Sequence, residues 1–238
     1  MRNLFKMIAV LASLVGFASA STPVEVMVPI DQIYSPNGFD SNDNAEIIVE
    51  GYLPNLCHKS PKSEVVVKGN VIDIKMKSLK YESDNPFCPE MIVPFIEAVD
   101  VGVLDKGVYD IRVNGKSIYA KESVISVDEA SSDAVDEFVY ANVEYVAKKE
   151  GSRVVELKGY NPSDCFVLDE IQVVDNGKDV YSILPKMKQI YDICPMKMVP
   201  FSFEVEIPSK LKSDKVLLHV RSMDGKSVNS LFFNGQNM

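Results

Sequence analysis

The chain repeats itself, and the repeat constrains its fold more than any single motif does. Gly51-Tyr52-Leu53-Pro54-Asn55-Leu56-Cys57 and Gly159-Tyr160-Asn161-Pro162-Ser163-Asp164-Cys165 both read G-Y-x-P-x-x-C. Cys88-Pro89-Glu90-Met91-Ile92-Val93-Pro94-Phe95 and Cys194-Pro195-Met196-Lys197-Met198-Val199-Pro200-Phe201 both read C-P-x-x-x-V-P-F. Gly115-Lys116-Ser117 answers to Gly225-Lys226-Ser227, and Gly69-Asn70 stands where Asn176-Gly177 does. These landmarks keep their order at an offset of 106 to 110 residues. Self-similarity at a near-constant offset predicts two copies of one structural unit. The units are read as residues 21–127 and 136–238, joined by a polar, acidic, aperiodic linker at 128–135.

Each unit then owns two cysteines, 31 residues apart in the first and 29 apart in the second. Four cysteines allow three pairings, and the repeat selects Cys57 with Cys88 and Cys165 with Cys194. Closing loops of about 30 residues stabilises by roughly 3–4 kcal/mol in the chain-entropy picture.

Inside each unit the apolar residues alternate, as with Val24, Val26, Val28 and Ile30, or Ile72, Ile74 and Met76. Period two is the mark of a half-buried strand. Runs rich in Val, Ile, Tyr and Phe, bounded by Gly, Asn, Asp and Pro, predict strands at 24–33, 46–53, 64–68, 71–78, 92–101, 108–113 and 117–125 in the first unit. The second unit has them at 138–147, 152–159, 169–175, 179–184, 198–206, 215–221 and 227–233. Asn114-Gly115, Asn176-Gly177 and Asp224-Gly225 predict tight hairpins, because type I′ turns need positive φ. Pro94 and Pro200 fall inside strand-like runs, so those strands should be edges or bulged. The fold class is therefore all-β: two tandem immunoglobulin-like β-sandwich domains with one disulfide each.

Residues 1–20 read as a secretory signal peptide. Arg2 and Lys6 precede the apolar run Met7 to Phe17, and Ala18-Ser19-Ala20 offers a small-x-small cleavage site. The apolar run is shorter than the roughly 20 residues that a bilayer-spanning helix needs. The expectation is a periplasmic or secreted protein with no membrane insertion after signal cleavage, in an oxidising compartment that suits disulfides. Removing Arg2 and Lys6 takes the net charge from −9 to −11. Such acidity disfavours nucleic-acid binding, because phosphate backbones are repelled.

Catalytic chemistry finds little support. The Gly-Lys-Ser triplets are not phosphate loops, since Asp110 and Val220 stand where that motif needs its first Gly. His58 and His219 occupy positions that the repeat does not equate, and both read as ordinary strand or loop residues. The chain contains no G-x-S-x-G, H-E-x-x-H or C-x-x-C, so the expectation is a protein that is not an enzyme. One polar segment is not repeated. Ser35 to Asn44 is long and oxygen-rich, and its counterpart Lys148 to Gly151 is short. Asp40, Asn42, Asp43 and Asn44 are candidate Ca²⁺ ligands, the one cofactor the sequence suggests. An EF-hand is excluded, because Ala45 replaces the loop Gly and Gly51 stands where the bidentate Glu belongs.

The pattern G-x-x-P-x-x-C, then Cys, then P-F, then Val108-Tyr109-Asp110-Ile111-Arg112-Val113-Asn114-Gly115 resembles a small, uncharacterised two-cysteine β-sandwich domain of exported bacterial proteins, here in tandem. The second half departs from it where Val220-Arg221-Ser222-Met223-Asp224-Gly225 replaces the shorter V-N-G ending. The resemblance implies a sandwich and export, and carries no active site. The expected function is a non-catalytic binding or structural module with a protein or glycan partner. The alternative is a periplasmic inhibitor or chaperone of exported proteins. The unrepeated loop at 35–44 is the first place to look for anything specific to this chain.

Overall fold

The computed structural model describes residues 22–81, 88–132, 138–149 and 151–234. The expected signal peptide, the last three residues of the expected linker, 133–135, and the first two of the expected second unit, 136–137, lie outside the described residues. Among the described residues the regular structure is strands and one short 3₁₀ turn, and no helix is long and apolar enough to cross a membrane.

The first half contains β1 (Val24–Met27), β2 (Ile30–Tyr34), β3 (Phe39–Asp40), β4 (Asn44–Leu53), β5 (His58–Lys68), β6 (Val71–Lys80), β7 (Val93–Val103), β8 (Gly107–Val113) and β9 (Lys121–Asp128). One sheet runs β1-β6-β8-β9-β3, with β5 on the other edge of β6, and the facing sheet runs β2-β4-β7. The second half contains β10 (Val139–Tyr140), β11 (Val143–Lys148), β12 (Val154–Asn161), β13 (Phe166–Asp175), β14 (Val180–Gln189), β15 (Val199–Glu206), β16 (Lys215–Ser222) and β17 (Lys226–Phe233). Its sheets run β10-β14-β16-β17, with β13 on β14, and β11-β12-β15. The pairing scheme is the same in both halves except for β3, which the unrepeated loop adds in parallel to β9. Each half is a β-sandwich over its own core. The first is built on Val28, Ile47, Val49, Ile72, Ile74 and Ile111. The second is built on Val155, Leu157, Tyr181, Ile183, Leu218 and Val220.

The structure explains why the landmarks are where they are. The expected first strand of each half is two strands, because the chain crosses from one sheet to the other at Pro29 and again at Asn142. At each crossing the carbonyl presses against the glycine of the G-Y motif. A Cβ on Gly51 would stand 2.4 Å from the Pro29 oxygen, and one on Gly159 would stand 2.0 Å from the Asn142 oxygen. The same oxygens accept the Tyr52 and Tyr160 N–H groups at 3.3 Å. Across the ladder Gly51 pairs with Phe95 and Gly159 with Phe201, so each V-P-F ring closes over the vacant glycine face. The two motifs of each unit thus meet at one corner of the sandwich.

Beyond that corner Cys57 joins Cys88 and Cys165 joins Cys194, with Cα separations of 5.7 and 5.6 Å. The strands carrying Pro94 and Pro200 pair on one side only, with β4 and β12, as proline's missing donor requires. The hairpin read at Asn114-Gly115 is present, with both residues at positive φ, but it is not a two-residue turn. Residues 114–120 form a longer loop, and buried Asn114 is occupied elsewhere. Its Oδ1 accepts the Met76 N–H at 2.8 Å and its Nδ2 donates to the Val28 carbonyl at 2.9 Å, filling the gap between β1 and β8 along β6. Asp224-Gly225 does turn β16 into β17, but through a three-residue loop with both residues at positive φ.

Candidate functional site: the joint between the halves

In an antiparallel sandwich one face of each sheet packs inward and the other meets water, which produces alternation. Strand β8 obeys this, with Tyr109, Ile111 and Val113 buried and Val108, Asp110 and Arg112 exposed. Strand β16 does not, since Val216 to Ser222 are all buried. Its outward residues Leu217, His219 and Arg221 face the first half rather than solvent.

The joint has an apolar centre and a polar frame. Tyr34 and Ile48 from the first half meet Val180 and Leu217 from the second, with Leu231 against them. Burying such side chains contributes about 1.5–3 kcal/mol each. At one end Glu50 accepts two hydrogen bonds from Lys215 at 2.7 and 2.8 Å and one from the Tyr34 hydroxyl at 2.8 Å. Burial and the adjacent Glu50 carboxylate push the Tyr34 phenol up. On a flank Gln32 donates to Asp179 at 2.6 Å. The Asn176-Gly177 turn docks beside it through Asn176 to the Ser35 carbonyl and Asn37 to the Asp175 carbonyl, each at 3.2 Å.

At the other end stands the strongest contact. The Arg221 guanidinium donates to both oxygens of Asp43 at 2.6 Å and to the Gly38 carbonyl at 3.3 Å. Its carbon lies 5.2 Å from the Phe39 ring centre and 4.8 Å from that of Tyr140. Arg221 is 4% exposed and Asp43 6%, so this is a buried, bidentate, charge-assisted pair. Its geometry orients the halves, because both charges are desolvated and each needs the other.

This arrangement occupies oxygens that the sequence offered to Ca²⁺. Both Asp43 oxygens meet Arg221, and Oδ2 also accepts the Asp40 N–H at 3.0 Å. Asp40 accepts the Asn42 N–H at 2.9 Å, and the Asn42 amide donates to the Ser132 carbonyl. Asn44 opens β4 opposite Val103. A calcium site needs six to eight oxygens turned to one point, whereas this loop turns its oxygens to its own backbone and to a guanidinium. Among the described residues no group of three or more His, Cys, Asp or Glu is placed to hold a metal ion.

The two histidines part company. His58 lies half-buried in β5, lowered by burial and by Lys80 nearby. His219 is buried in the joint, 5.7 Å from the Phe39 ring, and burial first and Arg221 second push it down to about 4. In the sequence Glu50 goes unmarked, His219 reads as an ordinary strand or loop residue and Arg221 has no assigned role. Two signals mark Arg221 and His219: the departure from V-N-G that contains Arg221, and the loss of alternation in Val216 to Val220.

Beyond the joint, Tyr191, Ile193, Met196 and Met198 stand exposed around the second disulfide, Ile193 by 88% and Met196 by 97%, and Leu56, Met91 and Ile92 stand exposed near the first. Glu50 meets Lys215 at one end of β16 and Asp43 meets Arg221 at the other. Strand β14 runs parallel to β16, so the two disulfide tips lie toward opposite ends of the joint.

Comparison with curated proteins and with solved structures returned no match. Residues 47–124, which span β4 to the first half of β9, match the family model of the ORF11 beta-sandwich domain, and the first half is similar to that domain.

Proposed function

We propose that this chain is a non-catalytic binding or structural module of an exported protein complement, made of two copies of one sandwich locked into a single rigid unit. The observation that carries the reading is the buried Asp43–Arg221 pair. It spends the unrepeated loop, the feature most specific to this chain, on holding the halves together. The same strand pairing in both halves supports the duplication, and two disulfides suit an oxidising compartment. The exposed apolar side chains at the two disulfide tips are the kind of surface that marks protein contacts, and the rigid joint holds the tips at a set separation.

The test is capture from envelope extract with the mature chain and with an Ile193→Ser/Met196→Ser variant, alongside a glycan array. The expected result is a protein partner lost in the variant. Glycan binding, or capture that the variant leaves intact, overturns the tip reading. N-terminal sequencing of the mature protein should begin at Ser21.

A further inference from the structure

The row Ser182, His219, Asn229 crosses three adjacent strands of the second half's large sheet, facing the first half. His219 begins a hydrogen-bond chain that crosses the joint. Its Nδ1–H donates to Asn229 Oδ1 at 2.9 Å, the Asn229 amide donates to Ser227 Oγ at 2.9 Å, and the Ser227 hydroxyl donates to Glu46 of the first half. That direction puts the ring proton on Nδ1 and leaves Nε2 as a buried lone pair with no partner. A second proton must go to Nε2, where the ring has no acceptor in reach and Phe39 packs against it.

The charges around His219 do not help. On its own strand stand Arg221 and Lys215, both cationic, and β14 begins after Asp179, which accepts from Gln32 and Asn176. Strand β17 presents Ser227, Asn229, Leu231 and Phe233 on this face, none of them charged. From the first half come Phe39, Asp43, Glu46, Glu50 and Tyr34. Asp43 is committed to Arg221, and Glu50 to Lys215 and Tyr34. An imidazolium here is a second buried cation beside Arg221, with Glu46 reached only through Asn229 and Ser227.

We propose that the joint is an acid-released clasp: on protonation of His219 the halves part while each sandwich, held by its own disulfide, stays folded. The sign follows from linkage. A histidine at its ordinary 6.5 in the open state and at about 4 in the closed one takes its proton more readily when the joint is open. The closed state is therefore fully favoured above the ordinary value and loses ground as pH falls toward the lower one. Glu46 opposes this, because burial raises its carboxyl and the closed joint welcomes its proton. Release therefore comes late, in the lower part of the window.

The full mature chain tests this by small-angle scattering, far-UV circular dichroism and NMR of its two histidines, from about pH 7 to about pH 3. The expected result is that His219 titrates well below His58, and that the radius of gyration rises in the same interval while the strand signal persists. His219→Phe should move that opening down by about one pH unit. Loss of compactness and strand signal together overturns the proposal, as does a His219 that titrates with no change in size. Opening of the Phe variant at the wild-type pH overturns it too. Should that variant not fold, the wild-type titration alone decides, since titration and opening must coincide.

Discussion

The same sheet face faces water in one half and protein in the other. In the first half the outward row across β6, β8 and β9 is Asp73, Arg112 and Glu122, with Asp110 and Val124 in the next row. In the second half the corresponding rows are Ser182, His219 and Asn229, then Leu217 and Leu231. The inward faces stay alike, with Ile111 and Val113 answering to Leu218 and Val220, all buried. The inward faces are alike in kind in both halves, and the outward faces differ. Charges that are cheap in water are expensive in a joint. Accordingly Asp110 gives way to Leu217, and the one guanidinium that enters, Arg221, brings a carboxylate with it.

The comparison can be broken most forcefully by transplanting a residue across it. Leu217→Asp places a carboxylate against Tyr34 and Ile48 and should cost about 4 kcal/mol or more, read by urea denaturation. Arg221→Ala strands Asp43 without its partner and should cost about 3–5 kcal/mol by the same measurement, with scattering showing a looser pair of halves. Reduction should weaken both halves alike, by roughly 3–4 kcal/mol for each disulfide, because the loops are nearly equal in length. Non-reducing peptide mapping should return Cys57 with Cys88 and Cys165 with Cys194. Gly51→Ala and Gly159→Ala push a methyl into a carbonyl in each half and should each cost about 1–3 kcal/mol. The reverse transplant is the smallest: Asp110→Leu lies on an exposed face and should change stability by no more than about 0.5 kcal/mol. If Leu217→Asp and Asp110→Leu cost the same, the two faces do not differ as described.

Much of the fold was legible in the sequence because its signals are local. Alternation in Ile72, Ile74 and Met76 reports a half-buried strand whatever it packs against, and Pro94 marks an edge because its missing donor travels with it. Repeated spacing paired the cysteines. Where the structure adds to these readings, a residue's role depends on something distant. Asn114-Gly115 has the composition of a tight turn, yet Asn114 serves Met76 and Val28 from far along the chain. Asp40, Asn42 and Asp43 have the composition of a cation loop, yet the cation that meets Asp43 is Arg221, 178 positions further along the chain.

By itself, then, the sequence determined that each half is a disulfide-stapled sandwich, because hydrophobic period, turn residues and cysteine spacing act over short stretches of chain. Only the tertiary structure decided that the halves are fused, and that the polar loop at 35–44 is the fastener. A buried ion pair is a property of two surfaces brought together, and neither surface carries its partner's address in its own stretch of sequence.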